Sequence, residues 1–389
     1  MPRHSRLAVI LALLLTLSWS CGPATARQDA PEVRLGLIAT FSGEGFRAGR
    51  DALEAARFAV DAATAAGIPA IDGKSCRVTL IPFDDKDSPQ HAAKGVRELA
   101  THKQVTAIIG PYPSGLANAA ALAADAVGVP FVAPAATAAV VTTGRPHIFR
   151  IPFTDAFQGL VLGRLARQQL GFARVAVIAN RDSLSSASLA DAFIKAFARC
   201  GGKATLSTYA DRDRDFAQLM DKALADAPQA LFLPNATKET ILLALAARKA
   251  GFTGTLLGGD AWDGREVSGL DAFKGAYFVD HWRESAPGER SNAYVAAFKK
   301  ARKRSPTEIG ALTQDAVDVV LAAVARAGST DREAVTRALM DLPPHDGVTG
   351  TFDFVDDGNP VKSLYITKVT DGGTRLESVV LPPPEPCGK

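Results

Sequence analysis

Phe131-Val-Ala-Pro-Ala-Ala-Thr137 decides how the chain is read. The apolar run Val129 to Val132 stops at Pro134. Small residues follow, then the hydroxyl of Thr137, then a run of helical character. A strand that ends at small residues and feeds a helix leaves backbone N–H groups pointing into a crevice. Such a corner suits a small anion, a carboxylate or a phosphate. The rest of the chain is expected to supply a second wall and a lid.

Upstream of this stretch, strands and helices alternate. Val33 to Thr40 reads as a buried strand, and Phe41-Ser-Gly-Glu-Gly45 as a turn-rich loop. Ala52, Ala55, Ala56, Ala59, Val60 and Ala63 then recur at helical spacing, with one face for packing. Arg77 to Phe83 is the second strand, ending at Asp84-Asp85. Ser88-Pro89 supplies an N-cap and a proline at the first helical position. Val105 to Ile109 is the third strand, followed by Gly110-Pro-Tyr-Pro-Ser-Gly115 and an alanine-rich helix.

Downstream, a second series starts near His147 to Ile151. Strands are expected at Arg174 to Ala179, Ala204 to Tyr209, Ala230 to Leu233 and Thr255 to Leu257, with helices between them. Gly171, Gly201 and Gly251 stand where helices end, and Phe216, Leu219, Met220, Ala223 and Leu224 keep a helical period. Alternation of this kind calls for parallel sheets with helices on both faces. Two series predict an α/β protein of two doubly wound parallel-sheet lobes.

The last third breaks the pattern. Ala276 to Trp282 reads as a strand that crosses between lobes, and Leu312 to Ala327 as a long helix stopping at Gly328. Thr330-Asp-Arg-Glu333 fits a capping box. Two late strands, Thr351 to Val355 and Leu364 to Val369, flank Asp356-Asp-Gly-Asn-Pro360. The proline-rich tail from Leu381 to Pro386 reads as an extended wrap or a loose end.

A length of 389 residues suits two domains, and 47% hydrophobic with 22% charged residues suits globular ones. The chain opens with Arg3, His4 and Arg6, then an apolar run from Leu7 to Leu17 that is too short to span a bilayer. Residues 1–26 therefore read as a secretory signal peptide. Ala24-Thr25-Ala26 is one processing site, and Ser20-Cys21-Gly22, which would lipidate Cys21, is another. Cleavage after Ala26 is preferred because Trp19 fits the lipoprotein pattern poorly. Without the leader the 44 basic residues become 42, against 41 acidic. That balance argues against a nucleic-acid surface or a basic membrane face. No later run is long enough for a membrane span.

Export permits disulfides, and the pairing of Cys76, Cys200 and Cys387 stays open. There is no CxxC, no Cys–His cluster, no HExxH, no GxSxG elbow and no P-loop. Hence no metal, no cofactor and no enzyme activity are expected.

Several stretches together resemble one known family. They are Gly36-Leu-Ile-Ala-Thr-Phe-Ser-Gly43, Asp84-Asp85 with Asp87-Ser-Pro89, Ile108-Ile-Gly-Pro111 with Ser114, and Ala133-Pro-Ala-Ala-Thr137. Leu257-Gly-Gly-Asp260, Asp315-Ala-Val317 and Asp346-Gly-Val-Thr-Gly350 follow in order. The chain resembles the periplasmic binding proteins of the Leu/Ile/Val type that serve ABC importers. That resemblance implies two lobes joined by three crossovers, near residues 149, 281 and 347. Lobe 1 would hold 32–148 with 282–346, lobe 2 would hold 149–281 with 347–380, and 381–389 would be a tail.

It further implies that Ser114, Ala135 and Thr137 hold a ligand carboxylate on lobe 1, and that Asp260 on lobe 2 pairs with an ammonium. Residue types agree: two hydroxyls, a small residue whose N–H a ligand can approach, and an acid beside two glycines. Asn235 is a further candidate donor. Relatives often place aromatics where this chain has Leu184 and Ala48, although Phe46 is close to the latter. A cysteine pair of some relatives is replaced by Asp87 and Pro113. The pocket is therefore expected to be less aromatic than a standard leucine site.

The implied partners are a small amino acid or related carboxylate and an ABC permease, with the chain acting as a periplasmic monomer. A lipid anchor through Cys21 is the alternative location, and a periplasmic amide or amino-acid sensor the alternative function. The basic run Lys299 to Arg304 reads as a solvated helix end or a permease-docking patch. Trp262 and Trp282 line either the cleft or hinge, or belong to the core.

Overall fold

The computed structural model describes residues 30–213, 215–382 and 387. The leader and Cys21 lie outside the described residues, as do most of the proline-rich tail and Arg214.

The first half lays down β1 (Glu32–Ala39), α1 (Phe46–Ala65), the short hairpin β2 (Ala70–Ile71) and β3 (Lys74–Ser75), β4 (Arg77–Asp84), α2 (Pro89–Thr101), β5 (Ala107–Ile109), α3 (Ser114–Ala126), β6 (Phe131–Ala133) and β7 (Ile148–Arg150). The second series is α4 (Asp155–Arg164), β8 (Arg174–Asn180), α5 (Leu184–Arg199), β9 (Lys203–Tyr209), α6 (Ala217–Leu224), β10 (Ala230–Leu233), α7 (Thr237–Lys249), β11 (Thr255–Gly258), α8 (Gly264–Val267) and β12 (Tyr277–Asp280). The chain ends with α9 (Glu289–Arg302), α10 (Glu308–Ala327), α11 (Arg332–Met340), β13 (His345–Gly347), β14 (Gly350–Val355), β15 (Asn359–Val361), β16 (Leu364–Thr370) and β17 (Gly373–Val380).

Lobe 1 is an all-parallel sheet in the order β4-β1-β5-β6-β7. Its inner strands β1, β5 and β6 are buried on both faces, as their apolar runs require, while the edge strand β4 is only partly covered. Lobe 2 is a seven-stranded sheet, β17-β16-β12-β11-β10-β8-β9. It is parallel from β12 to β9, but β16 pairs antiparallel with β12 and β17 antiparallel with β16. Two parallel-sheet lobes are present as expected, with an antiparallel hairpin added at one edge of lobe 2. A hairpin closes the edge of lobe 2, and β17 was missed because Gly373 to Val380 has only Leu376, Val379 and Val380 as apolar side chains and forms no apolar run.

The chain leaves lobe 1 after Arg150, leaves lobe 2 after Asp280, and returns to it at Leu364. Strands β13 to β15 form a small sheet whose Phe352 and Phe354 are buried in the lobe 1 core. The third passage therefore falls beyond Val361, not near residue 347. Helix α10 fastens two of the passages. Glu308, its first residue, accepts the backbone N–H of His281 and of Trp282. Asp315 accepts the N–H of Val348 at 2.6 Å and of Thr349 at 3.0 Å, together with the Thr349 hydroxyl. The buried Lys362 ammonium then bonds the Thr349 hydroxyl and the Ile151 carbonyl, tying the third passage to the first.

Burial lowers the Lys362 pKa to about 8, against the pull of Asp315 and Glu308. Between about pH 8 and the ordinary lysine value the unfolded chain then binds more protons than the folded one. Stability should rise with pH through that window, by at most about 3 kcal/mol. Chemical denaturation from pH 7.5 to 10.5 should show this slope in the natural chain and a flatter one in Lys362→Met.

Smaller corrections have local causes. The cap before α11 is Asp331, whose carboxylate accepts from Ala334, and not Thr330. Cys200 and Cys387 form a disulfide, while Cys76 is buried and unpaired. The basic run ends α9 and packs on α1: Arg302 reaches Asp61 and Glu54, and Arg304 reaches Asp51 and Glu54. Both tryptophans belong to the core. Trp262 donates to the Leu233 carbonyl beside Phe273 and Phe278, and Trp282 donates to Ser291 beside Tyr294.

Candidate functional site

Parallel strands leave their C-terminal ends facing one side, and ligands of open α/β sheets bind outside those ends. In lobe 1 the loops after β5 and β6 meet there. Gly110 starts the first of them at φ 108°, and a Cβ would lie 1.9 Å from the Ile38 carbonyl oxygen, so only glycine fits. The loop enters α3 at Ser114. The first intrahelical bond comes from Ala117, which leaves the N–H groups of the opening turn without helical partners.

The second loop is Pro134 to Ala138. Arg150, fully buried on β7, holds it from behind. Its guanidinium donates to the carbonyls of Ala136 at 2.9 Å and Ala139 at 3.3 Å, and to the Thr142 hydroxyl. Burial lowers the Arg150 pKa to about 10, still charged at neutral pH. The N–H of Ala138 donates to Ser114 Oγ at 3.4 Å, so the two loops touch. Ser114, Ala135 and Thr137 thus lie in one buried corner. Among the described residues no acceptor takes the N–H of Ala135 or of Thr137. The corner has the donors an anion needs.

The loop after β1 is fixed by Asp84, whose carboxylate accepts from the N–H of Phe41, Ser42 and Lys86 and from the Ser42 hydroxyl. Ala48 borders a small apolar cavity of about 30 Å³ with Tyr112, Pro113 and Pro134, while Phe46 is exposed.

In lobe 2, Asp260 follows β11. Its carboxylate accepts from Gln158 Nε2 at 2.8 Å and bonds His281 Nε2 at 3.1 Å, and its N–H donates to Gln158 Oε1 at 2.9 Å. His281 is buried, packs on the Phe153 ring and has its pKa lowered by that burial. Tyr112 comes from lobe 1, yet burial and then the charges of Asp260, Glu308 and Asp263 raise its pKa. That places Tyr112 in the field of the lobe 2 acid. The lobes also touch at the rim, where Lys238 pairs with Glu44 at 3.3 Å and Leu184 packs on the lobe 1 core.

Asn235 has another task. Its side chain accepts from Asn180 N–H at 3.0 Å and Ser186 Oγ at 2.8 Å, and donates to the Ile178 carbonyl at 2.8 Å. Both lone-pair directions of the oxygen are engaged and the residue is buried, so Asn235 braces the loops after β8 and β10. One of its two amide hydrogens goes to the Ile178 carbonyl, and the other is the donor left for a ligand.

Tyr112, Gln158 and His281 were not singled out from the sequence. Tyr112 stood inside the quoted Gly110 to Gly115 loop. Gln158 lies one turn after the cap Thr154 and looked like an ordinary helix residue. His281 was a lone histidine, with no spacing to mark it.

The chain belongs to the periplasmic binding protein family, whose model matches residues 32–374. A Leu/Ile/Val-binding protein homolog of Brucella melitensis is 26% identical over 93% of this chain and 98% of its own length. A leucine-binding protein, LivK, of Thermotoga maritima superposes with a TM-score of 0.83 at 29% identity, covering 90% of this chain and 99% of that one. The branched-chain amino acid transporter substrate-binding protein LivJ of Streptococcus pneumoniae, solved in complex with isoleucine, gives 0.80 at 25% identity over 90% and 99%. The fold and role are those of a substrate-binding protein of ABC transport. No described helix is long and apolar enough to cross a membrane.

Proposed function

We propose that the chain captures a small amino acid or a related carboxylate outside the cytoplasm and delivers it to an ABC permease. The observation that carries this reading is the pairing of two walls. Lobe 1 offers hydroxyls and unengaged N–H groups at Ser114, Ala135 and Thr137, and lobe 2 offers the acid Asp260. The ligand carboxylate sits in the lobe 1 corner of the open form. Closure brings Asp260 onto the amine, and the closed form is selected by its extra contacts. Gln158 and His281 orient Asp260 for that contact. The mature chain is proposed to begin at Arg27 and to work as a periplasmic monomer, with the permease reading the closed shape.

The test is thermal and calorimetric titration of residues 27–389, stripped of carried-over ligand by unfolding and refolding. The panel holds amino acids, amides, short dicarboxylates and aromatic acids. A cognate ligand at one hundred times its dissociation constant should add about 2.7 kcal/mol of stability. Absence of any stabilising member would remove the reading. With an amine-bearing ligand in hand, Asp260→Asn should weaken binding more than tenfold, the size expected for loss of a buried charged partner. Unchanged affinity would remove Asp260 from the site.

A further inference from the structure

Asp260 and His281 meet at the pivot between the lobes, and each is held from a different side. Gln158 of α4 fixes Asp260 to lobe 2, accepting its N–H at 2.9 Å and donating to its carboxylate at 2.8 Å. His281 is the first residue beyond β12, and its N–H is held by Glu308 of α10, a helix packed in the lobe 1 core. The His281 ring closes the gap. Its Nε2 lies 3.1 Å from Asp260 Oδ2, and it packs on the Phe153 ring at 3.9 Å between centroids. Phe153 stands in the first passage between the lobes and His281 in the second. One side chain therefore touches two passages and the acid assigned to the ligand.

Packing alone does not account for a histidine here. The side chain is 3% exposed, and its Nδ1 has no partner among the described residues. A buried ring nitrogen without a partner costs free energy. An apolar side chain would cover Phe153 without that cost. What the histidine adds is its bond to Asp260. Burial lowers the His281 pKa, the bond and charge of Asp260 pull it up, and the charge of Lys362 lowers it again. A neutral ring facing a carboxylate carries its hydrogen on Nε2 and donates.

The lobes touch in this structure, through Lys238 and Glu44 at the rim, so the bond belongs to the closed arrangement. Opening turns lobe 2, and Asp260 with it, away from the lobe 1 clamp on the His281 backbone. Backbone torsions at the passage absorb such a rotation.

We propose that His281 is a positioning residue that couples Asp260 to the hinge, its bond to Asp260 being made on closure and lost on opening. The proposal rests on the solute-binding reading above and concerns how that site is regulated. A bond made in only one of two forms shifts the balance towards that form. A ligand that holds the Asp260 carboxylate in place presents it to His281, and His281 passes the restraint to both passages. Affinity then depends on His281 without any contact to the ligand, because the apparent dissociation constant rises as the fraction able to close falls. Every ligand should be weakened by one common factor, with preferences among ligands kept.

The experiment is calorimetric titration of the natural chain, His281→Leu and His281→Gln, with leucine, valine, alanine, glutamate, succinate, benzoate and acetamide as probes. Small-angle X-ray scattering with and without saturating probe reads closure, and thermal melts check folding. Leucine keeps the apolar contact with Phe153 and removes the donor, whereas glutamine places an amide nitrogen near the Nε2 position. His281→Leu should lose about tenfold or more for every probe that binds, the size of a hydrogen bond to a charged group. Its radius of gyration with saturating probe should stay nearer the probe-free value. His281→Gln should recover most of the affinity and the closure. If His281→Leu melts as an unfolded chain, His281→Asn, whose amide falls short of Asp260, takes its place. A donor-free variant that binds and closes like the natural chain overturns the proposal and leaves the solute-binding reading standing. Equal losses in His281→Leu and His281→Gln do the same, and so does a loss confined to one class of probe. A folded natural chain that binds no probe overturns the solute-binding reading and this proposal with it.

Discussion

Replacement of Asp315 by alanine should lower stability by about 3–5 kcal/mol, the range seen when one partner of a buried charged network is removed. Three donors lose their acceptor at once: the N–H of Val348, the N–H of Thr349 and the Thr349 hydroxyl. All lie in the passage between α10 and β14, and Asp315 and Thr349 are fully buried. Water cannot replace the lost acceptor without opening the hinge. Lys362 is affected as well, since Asp315 is the strongest of the charges that favour its ammonium there. The measurement is urea denaturation at pH 7.5 of the natural chain, Asp315→Ala, Lys362→Met and the double variant. The double variant should cost less than the sum of the singles, because removing the ammonium relieves the charge stranded by Asp315→Ala. A single-variant loss below about 1 kcal/mol would show that the hinge is not held this way.

Removal of the Cys200–Cys387 disulfide should cost about 2–5 kcal/mol. The bond joins the end of α5 to the tail after β17, at a sequence separation of 187 residues. Closing so long a loop in the unfolded chain removes configurational entropy worth about 5 kcal/mol in the chain-entropy description, an upper bound that native distortion reduces. Cys200→Ser, measured by thermal melting with and without reductant, isolates the effect. The natural chain should melt earlier when reduced, and Cys200→Ser should melt at that lower temperature under both conditions. Cys76 is buried and unpaired, so it contributes no second bridge to the comparison. A natural chain indifferent to reductant would contradict the pairing.

Much of the fold was legible because its signals are local. Apolar runs such as Ala230 to Leu233 and the C′ glycines Gly171, Gly201 and Gly251, all at positive φ, mark strands and helix ends within a few residues. Ser88 caps α2 and Gly328 ends α10 for the same reason. Strand β17 and the small sheet of β13 to β15 were less legible. Their residues are only half apolar, and they become strands by pairing with β16 and with each other.

The site divides in the same way. Ser114, Ala135 and Thr137 stand at strand ends that the sequence marks by itself, and the structure gathers them in one corner. Asn235 shows the limit. A side-chain amide after a strand looks the same in sequence whether it is wholly free for a ligand or, as here, engaged with Asn180, Ser186 and Ile178.

The sequence by itself determined the two α/β series, the corner after β6 and the acid after β11, because hydrophobic period, turn residues and caps act over a few positions. Tertiary structure alone decided what each polar group meets. Gln158 and His281 reach Asp260 from 102 and 21 residues away, and Lys362 reaches Ile151 across 211. Hydrogen bonds and ion pairs are fixed by distances of a few ångströms in space, and the register of packed lobes sets those distances, not separation along the chain.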